Sequence, residues 1–203
     1  MTMIEHLRPA FALLGGLTVL TGVAYPLAIT GIAQVAMPTA AGGSLIEVGG
    51  RVVGSRLIGQ SFSEPKWFHG RPSATSAADP NDATKTVDAP YNAANSSGSN
   101  LGPLSAKLIE RVKGDAEALR GESGAATVPA DAVTTSASGL DPDISPDFAR
   151  LQAKRVAAAR GLPLERVEAL IAAKTRGREL GVFGEPRINV LDLDLALSRL
   201  DPS

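Results

Sequence analysis

Residues 9–37 read PAFALLGGLTVLTGVAYPLAITGIAQVAM, and this stretch decides the architecture of the chain. No charged residue stands between Arg8 and Glu47. A helix needs about 20 apolar residues to cross the hydrocarbon layer, and residues 10–35 supply them. Gly15, Gly16, Gly22, Gly31 and Pro26 would weaken a helix in water. In a bilayer they are tolerated, and small residues let a second helix approach closely. Thr18, Thr21, Gly22 and Tyr25, the last beside Pro26, share a rough helical face that suits packing on a partner helix; a lone anchor in lipid is the simpler alternative. A cleavable signal peptide competes. Its apolar region usually runs about 7–15 residues, shorter than this one, and the TAA at 39–41 makes a mediocre cleavage site. Arg8 precedes the span and Arg51 is the first cation after it, so the positive-inside bias puts the N-terminus in the cytoplasm and the bulk of the chain outside.

The rest of the 203 residues amounts to roughly one domain. Twenty Lys and Arg face 21 Asp and Glu, and the net charge of −1 provides no global attraction to nucleic acid. Cysteine is absent, which excludes disulfides, thiol nucleophiles and zinc–thiolate sites. Two histidines, His6 and His69, are too few for a multi-histidine metal cluster. Aromatics make up 4%, so the core must come from Ala, Val, Leu and Ile.

Outward from the span, residues 44–48 and 51–58 read as β-rich runs around Gly49-Gly50, a turn that takes positive φ at both central positions. Residues 64–103 are rich in Ser, Asn, Asp, Gly, Pro and Ala; so long a loop is either functional or disordered. WFHGRP at 67–72 and SGSNLGP at 97–103 are shaped islands within it. A helix is expected from Pro103, stopping near Gly121. Ser145-Pro146-Asp147 is a strong N-cap arrangement for a helix that carries Phe148, Leu151 and Val156 and ends near Gly161. Pro163 opens another, with Val167, Leu170 and Ile171 inward, that runs to about Gly177. A short strand at 188–191 precedes a last helix bearing Leu193, Leu197 and Leu200. The fold class is α+β: a short cytoplasmic N-terminus over 1–9, one transmembrane helix over 10–35, and over 36–203 a mixed extracytoplasmic domain with a short β-hairpin, long irregular loops and several helices.

The chemistry is sparse. Neither a Walker A loop nor G-x-G-x-x-G occurs. Ser63 and Lys66 match S-x-x-K, the pattern of wall-acting acyl transferases, but the companion motifs are missing, and Pro65 would disrupt the helix the pattern needs. A membrane-anchored serine acyl hydrolase is the alternative built on that pair. Asp141/Asp143 and Asp192/Asp194 sit before or at the start of helices, where capping accounts for them. Residues 150–178 carry eight Lys and Arg against Glu165 and Glu168, either a solvated face or a contact for anions, lipid headgroups or an acidic partner. Trp67 is the single tryptophan; with Phe68 it is either the centre of a small core or an interface anchor.

Taken in order, LRP at 7–9, TG at 21–22 with YPL at 25–27, GSRLIGQSF at 54–62, WFHGRPSA at 67–74, GSNLGP at 98–103, VP at 128–129 with Asp131, SASGLDP at 136–142 with ISP at 144–146, and GEPRINV at 184–190 resemble the C subunit of the Kdp potassium-transporting ATPase over nearly the whole chain. The resemblance implies a non-catalytic accessory subunit of a bacterial inner-membrane pump that assembles and stabilises the complex. It also implies a "catalytic chaperone" effect on the ATP affinity of the hydrolysing subunit. The implied partners are the channel-like potassium-binding subunit, the P-type ATP-hydrolysing subunit, a small single-span subunit and the lipid bilayer, with no nucleic acid. No cofactor is expected to bind firmly, and ATP enters only through the pump complex. On this reading Trp67, Phe68, His69, Arg71, Asn100 and Asp141 form the partner interface, and Gln152 and Arg155 are candidates for an anion or nucleotide contact. Asp143 stands where the family often has His or Asn, and Asp194 where Asn is expected.

Overall fold

The computed structural model describes residues 3–200. The extreme ends of the expected N-terminus and C-terminal domain, residues 1–2 and 201–203, lie outside the described residues. The chain divides after Val53 into two compact units.

In the first unit, helix α1 (Met3–Val19) passes through a π-helical turn (Leu20–Ala24) into α2 (Tyr25–Ala36), followed by the single turn α3 (Pro38–Ala41). His6–Ala36 is long and apolar enough to cross a membrane. The wide turn has a local cause. Pro26 has no N–H to donate and its ring crowds the preceding turn, and Tyr25 N–H reaches back five residues to the Leu20 carbonyl. The expected face of Thr18, Thr21, Gly22 and Tyr25 therefore straddles the wide turn. Thr21 Oγ1 donates to the Leu17 carbonyl at 2.7 Å, and a Cβ on Gly15, Gly16 or Gly31 would meet nothing within 4 Å. Strands β1 (Leu45–Val48) and β2 (Arg51–Ser55, its last two residues past the division) pair around Gly49 and Gly50, whose φ values of 59° and 76° are those the Gly-Gly turn predicts. The second strand stops at Ser55, short of the expected Ile58.

In the second unit, β3 (Ser76–Asp79) and β4 (Asp82–Asp88) form an antiparallel hairpin inside the stretch expected to be irregular. Its Ala, Ser, Asp and Thr content hides it from a search for β-branched alternation. Helix α4 (Ala106–Ser123) starts three residues after Pro103 and runs past Gly121; Gly124, at φ 69°, is its left-handed stop. After α5 (Ala130–Val133) comes β5 (Asp143–Ile144), then α6 (Pro146–Arg160). Ser145 Oγ accepts from Phe148 N–H at 3.0 Å, the expected cap, and Asp131 holds the serine from behind at 2.9 Å. Gly161 ends α6 at φ 64°. Helix α7 (Leu164–Lys174) finishes three residues before Gly177, and β6 (Ile188–Asn189) pairs with β5 and leads into α8 (Val190–Leu197).

The core lies between α6, α7, α8 and the β5–β6 pair. Phe148, Val156, Val167, Ile171, Ile188, Leu193 and Leu197 are buried there. Leu151, Leu170 and Leu200 pack at its edge.

Capping accounts for one member of each acidic pair: Asp141 Oδ1 accepts Asp143 N–H at 3.0 Å, and Asp192 lies in the first turn of α8, whereas Asp143 and Asp194 do other work. Asn189 caps α8 by accepting from Asp192 N–H at 3.0 Å, and it donates to the Arg56 carbonyl and Asp143. Asp192 pairs with Arg56 and Arg176, and Asp143 with Arg187. Asp194 points into the core, where it serves the segment described next.

Candidate functional site

Residues 64–72 form a turn followed by extended chain, and α6 holds them by their backbone. Arg155 Nη1 donates to the carbonyls of Pro65 (2.5 Å) and Trp67 (3.0 Å), and Arg160 Nε donates to that of Lys66 at 2.7 Å. The Gln152 amide makes a reciprocal pair with His69, accepting its N–H at 2.8 Å and donating to its carbonyl at 3.1 Å. From α8, Asp194 Oδ1 accepts Phe68 N–H at 2.9 Å. A strand edge normally satisfies such backbone groups; here four side chains do so.

This arrangement sets the two aromatic rings apart. Phe68 has no exposed surface and belongs to the core, so it cannot touch a partner as expected. Trp67 stays half-buried under the Arg160 guanidinium, 4.3 Å from its ring centroid, with Lys66 Nζ at 5.5 Å and Phe62 tilted against it at 6.2 Å. The half-buried His69 ring donates from Nε2 to the Glu64 carbonyl at 3.2 Å. Burial, and then the charge of Arg155, lower its pKa below the ordinary histidine value.

Arg71 is a clamp within the chain. Its Nη1 meets Asp141 Oδ2 at 2.9 Å, and its Nη2 faces the Thr134 and Thr135 carbonyls at 3.5 Å. Thr135 in turn donates to Ser99 at 3.3 Å, the residue before the exposed Asn100, whose φ is 51°. Tyr91 donates its hydroxyl to the Arg71 carbonyl at 2.8 Å. Burial, and behind it the Asp141 charge, push that phenol up to about 12, so it remains a proton donor across physiological pH. Tyr91 escaped the sequence reading. The signal was scarcity, since it is one of two tyrosines and the other is in the apolar stretch.

The Tyr91 ring leans on Gly70 so closely that a Cβ there would collide with the hydroxyl. Gly70→Ala is therefore expected to destabilise the second unit by about 1–3 kcal/mol, the usual cost of overpacking. Adding Tyr91→Phe, which removes the clashing oxygen, should recover part of that loss in a thermal melt of the full chain. Additive losses in the double variant would show that the two residues do not meet.

Gln152 and Arg155 are thus committed to the chain's own backbone, with Arg155 Nε also 2.7 Å from Glu122. The cavity beside them, lined by His69, Glu122 and Phe148 among others, is about 40 Å³. That holds a water molecule rather than a nucleotide, whose sites run to roughly 300 Å³ or more.

The KdpC family model, described as K+-transporting ATPase, c chain, matches residues 7–199. The chain is 62% identical to the potassium-transporting ATPase KdpC subunit of Methylobacterium nodulans over 198 residues, 98% of each chain. It is 62% identical to that of Methylorubrum populi, again over 98% of each chain, and 61% identical to that of Bradyrhizobium diazoefficiens over 97% of this chain and 98% of the other. The chain belongs to the KdpC family.

The WFHGRP island of this KdpC-family chain is, on the geometry, a docked strap rather than a catalytic loop. The family is one of pump subunits, not of hydrolases, and the Ser63/Lys66 alternative falls with that assignment. Lys66 Nζ lies 2.7 Å from the Glu64 carboxylate, and residues 64–67 form a turn instead of the helix the S-x-x-K chemistry needs. Half of the eight cations in the basic stretch face an acid as well, through Arg150–Asp147, Arg155–Glu122, Arg176–Asp192 and Arg178–Glu185.

Proposed function

We propose that this chain is the non-catalytic accessory subunit of an ATP-driven, high-affinity potassium uptake pump. The observation that carries the reading is the end-to-end match to KdpC subunits. One helix of the required length and hydropathy, His6–Ala36, anchors it in the bacterial inner membrane. Its N-terminus is cytoplasmic and the unit from Gly54 onward is extracytoplasmic. It assembles and stabilises the complex with the channel-like potassium-binding subunit, the P-type ATP-hydrolysing subunit and a small single-span subunit. The span meets partner helices through the faces interrupted by Gly22 and Pro26. The half-buried Trp67, with His69, Arg71, Asp141 and the Asn100 turn, meets partner loops.

Any rise in the ATP affinity of the hydrolysing subunit travels through the membrane subunits. Gln152 and Arg155 already bind backbone carbonyls and each other, and the cavity next to them is far below nucleotide size. A mild-detergent pull-down of the tagged chain from potassium-starved membranes, read by mass spectrometry, tests the reading. A P-type ATPase and a large multi-span subunit should follow in fixed ratio. Recovery of the chain alone would overturn it.

A further inference from the structure

Residues 176–187 leave the core between α7 and β6 as a narrow arm. Two pairs of reciprocal backbone hydrogen bonds form its rungs: Arg176 with Arg187 at 2.9 and 3.0 Å, and Glu179 with Phe183 at 2.9 Å each way. Ion pairs brace it. Arg178 meets Glu185 at 2.6 Å and Arg187 meets Glu179 at 2.8 Å across the arm, while Arg176–Asp192 and Arg187–Asp143 tie its base to the body. Each pair is weak alone, but a braced set fixes an orientation.

The tip is apolar and open. Leu180 is 90% exposed, Val182 68% and Phe183 65%. Leu180 also holds φ at 53°, a left-handed backbone that costs a leucine energy and that glycine would adopt freely. Nothing within the chain is gained by presenting three large apolar side chains on a stiff, partly strained turn. A surface loop under no other demand would carry polar residues there.

We propose that this tip is an anchor that inserts into an apolar socket on another polypeptide of the pump. The proposal rests on the accessory-subunit reading. Charge distinguishes a protein socket from a lipid surface. A loop that dips into an anionic bilayer needs unpaired Lys or Arg around its apolar tip, whereas Arg176, Arg178 and Arg187 each already face an acid. Area distinguishes it from a second copy of this chain. Three side chains cover only a few hundred Å², and even doubled by symmetry they fall short of the roughly 1,000 Å² of a stable interface. As one contact of a subunit already held in the same membrane complex, the tip needs no such area, because tethering supplies the effective concentration. A rigid apolar knob in a pocket also has the form that dominates binding energy within larger interfaces.

The test places a benzophenone amino acid at position 183 of the tagged full-length chain, expressed with the pump and irradiated in solubilised complexes. A covalent adduct with one pump subunit is expected. Leu180→Asp should lower its yield about tenfold, as loss of a hot-spot contact does, while the chain's melting temperature does not fall, because Leu180 is 90% exposed and aspartate tolerates its left-handed backbone. Adducts with lipid only, with a second copy only, or none at all in an intact complex would overturn the anchor and leave the accessory-subunit reading standing. If the chain carries no pump subunits from the membrane, both readings fall.

Discussion

Truncating Phe68 to alanine will cost the second unit about 3–5 kcal/mol, the range for a large aromatic removed from a packed core. The ring is completely buried with Phe148, Val156 and Leu193 in the same cluster, and the loop that carries it lacks a ladder of its own. Loss of the ring therefore does more than open a cavity. The hydrogen bonds from Gln152, Arg155 and Arg160 act on the backbone on either side of Phe68, and they hold their geometry only while the ring fixes the depth of the loop. Denaturant titration of the detergent-solubilised full chain measures the loss. Trp67, the chain's single tryptophan, lies under Arg160 and reports the same event by fluorescence, so its emission should shift toward that of a solvated indole before global unfolding. A variant that keeps native Trp67 emission and loses less than about 1 kcal/mol, far below the usual range, would mean that the backbone clamps alone hold the strap.

The second large effect depends on pH and belongs to Asp194. Burial raises this carboxyl to about 7, against the pull of Phe68 N–H, Arg160 and Arg155. One of its oxygens, Oδ2, is buried with no hydrogen-bond partner, which disfavours the charged form. The folded state thus holds a proton that the unfolded chain, titrating near 3.8, releases between about pH 4 and 7. Stability from this group is greatest below pH 4, falls as pH rises to about 7 and is flat above, by at most about 4 kcal/mol. Asp194→Asn keeps an acceptor for Phe68 N–H and removes the charge, so it should be more stable than the parent at pH 8 and nearly equal to it at pH 4. His69 acts with the opposite sign. Its lowered pKa makes stability rise with pH up to about 6.5, and it is present in both proteins, so the difference between them isolates Asp194. Parallel pH profiles for the two would rule the assignment out.

Local rules made part of this legible in advance. The Gly49-Gly50 turn, the Ser145 cap with Pro146 behind it, and Gly161 as the stop of α6 each depend on a residue and its immediate neighbours. Where local signals competed, boundaries slipped. Pro103 is a plausible first residue for α4, yet the helix begins at Ala106, after an extended Ser105 whose side chain makes no cap hydrogen bond, and Gly121 yields to Gly124 because a single glycine inside a helix costs only about 1 kcal/mol. The β3–β4 hairpin was hidden because it rests on its own ladder and on side chains such as Asn92 and Asn95, which donate to the Ser76 carbonyl, not on strand propensity or a buried apolar face.

Sequence alone determined the single apolar span, the α+β class of the remainder, the family and the segment that merits attention. Those follow from periodicity, composition and ordered motifs, which short-range physics writes into neighbouring residues. Only the tertiary structure decided what each residue of that segment does. It buried Phe68, left Trp67 half-buried under Arg160, turned Arg71 into a clamp on Asp141, and gave Gln152, Arg155 and Asp194 to the strap's backbone from positions 83, 88 and 126 residues away. Burial and hydrogen-bond partnership at such distances depend on how helices pack, and packing is a property of the whole chain rather than of any window along it.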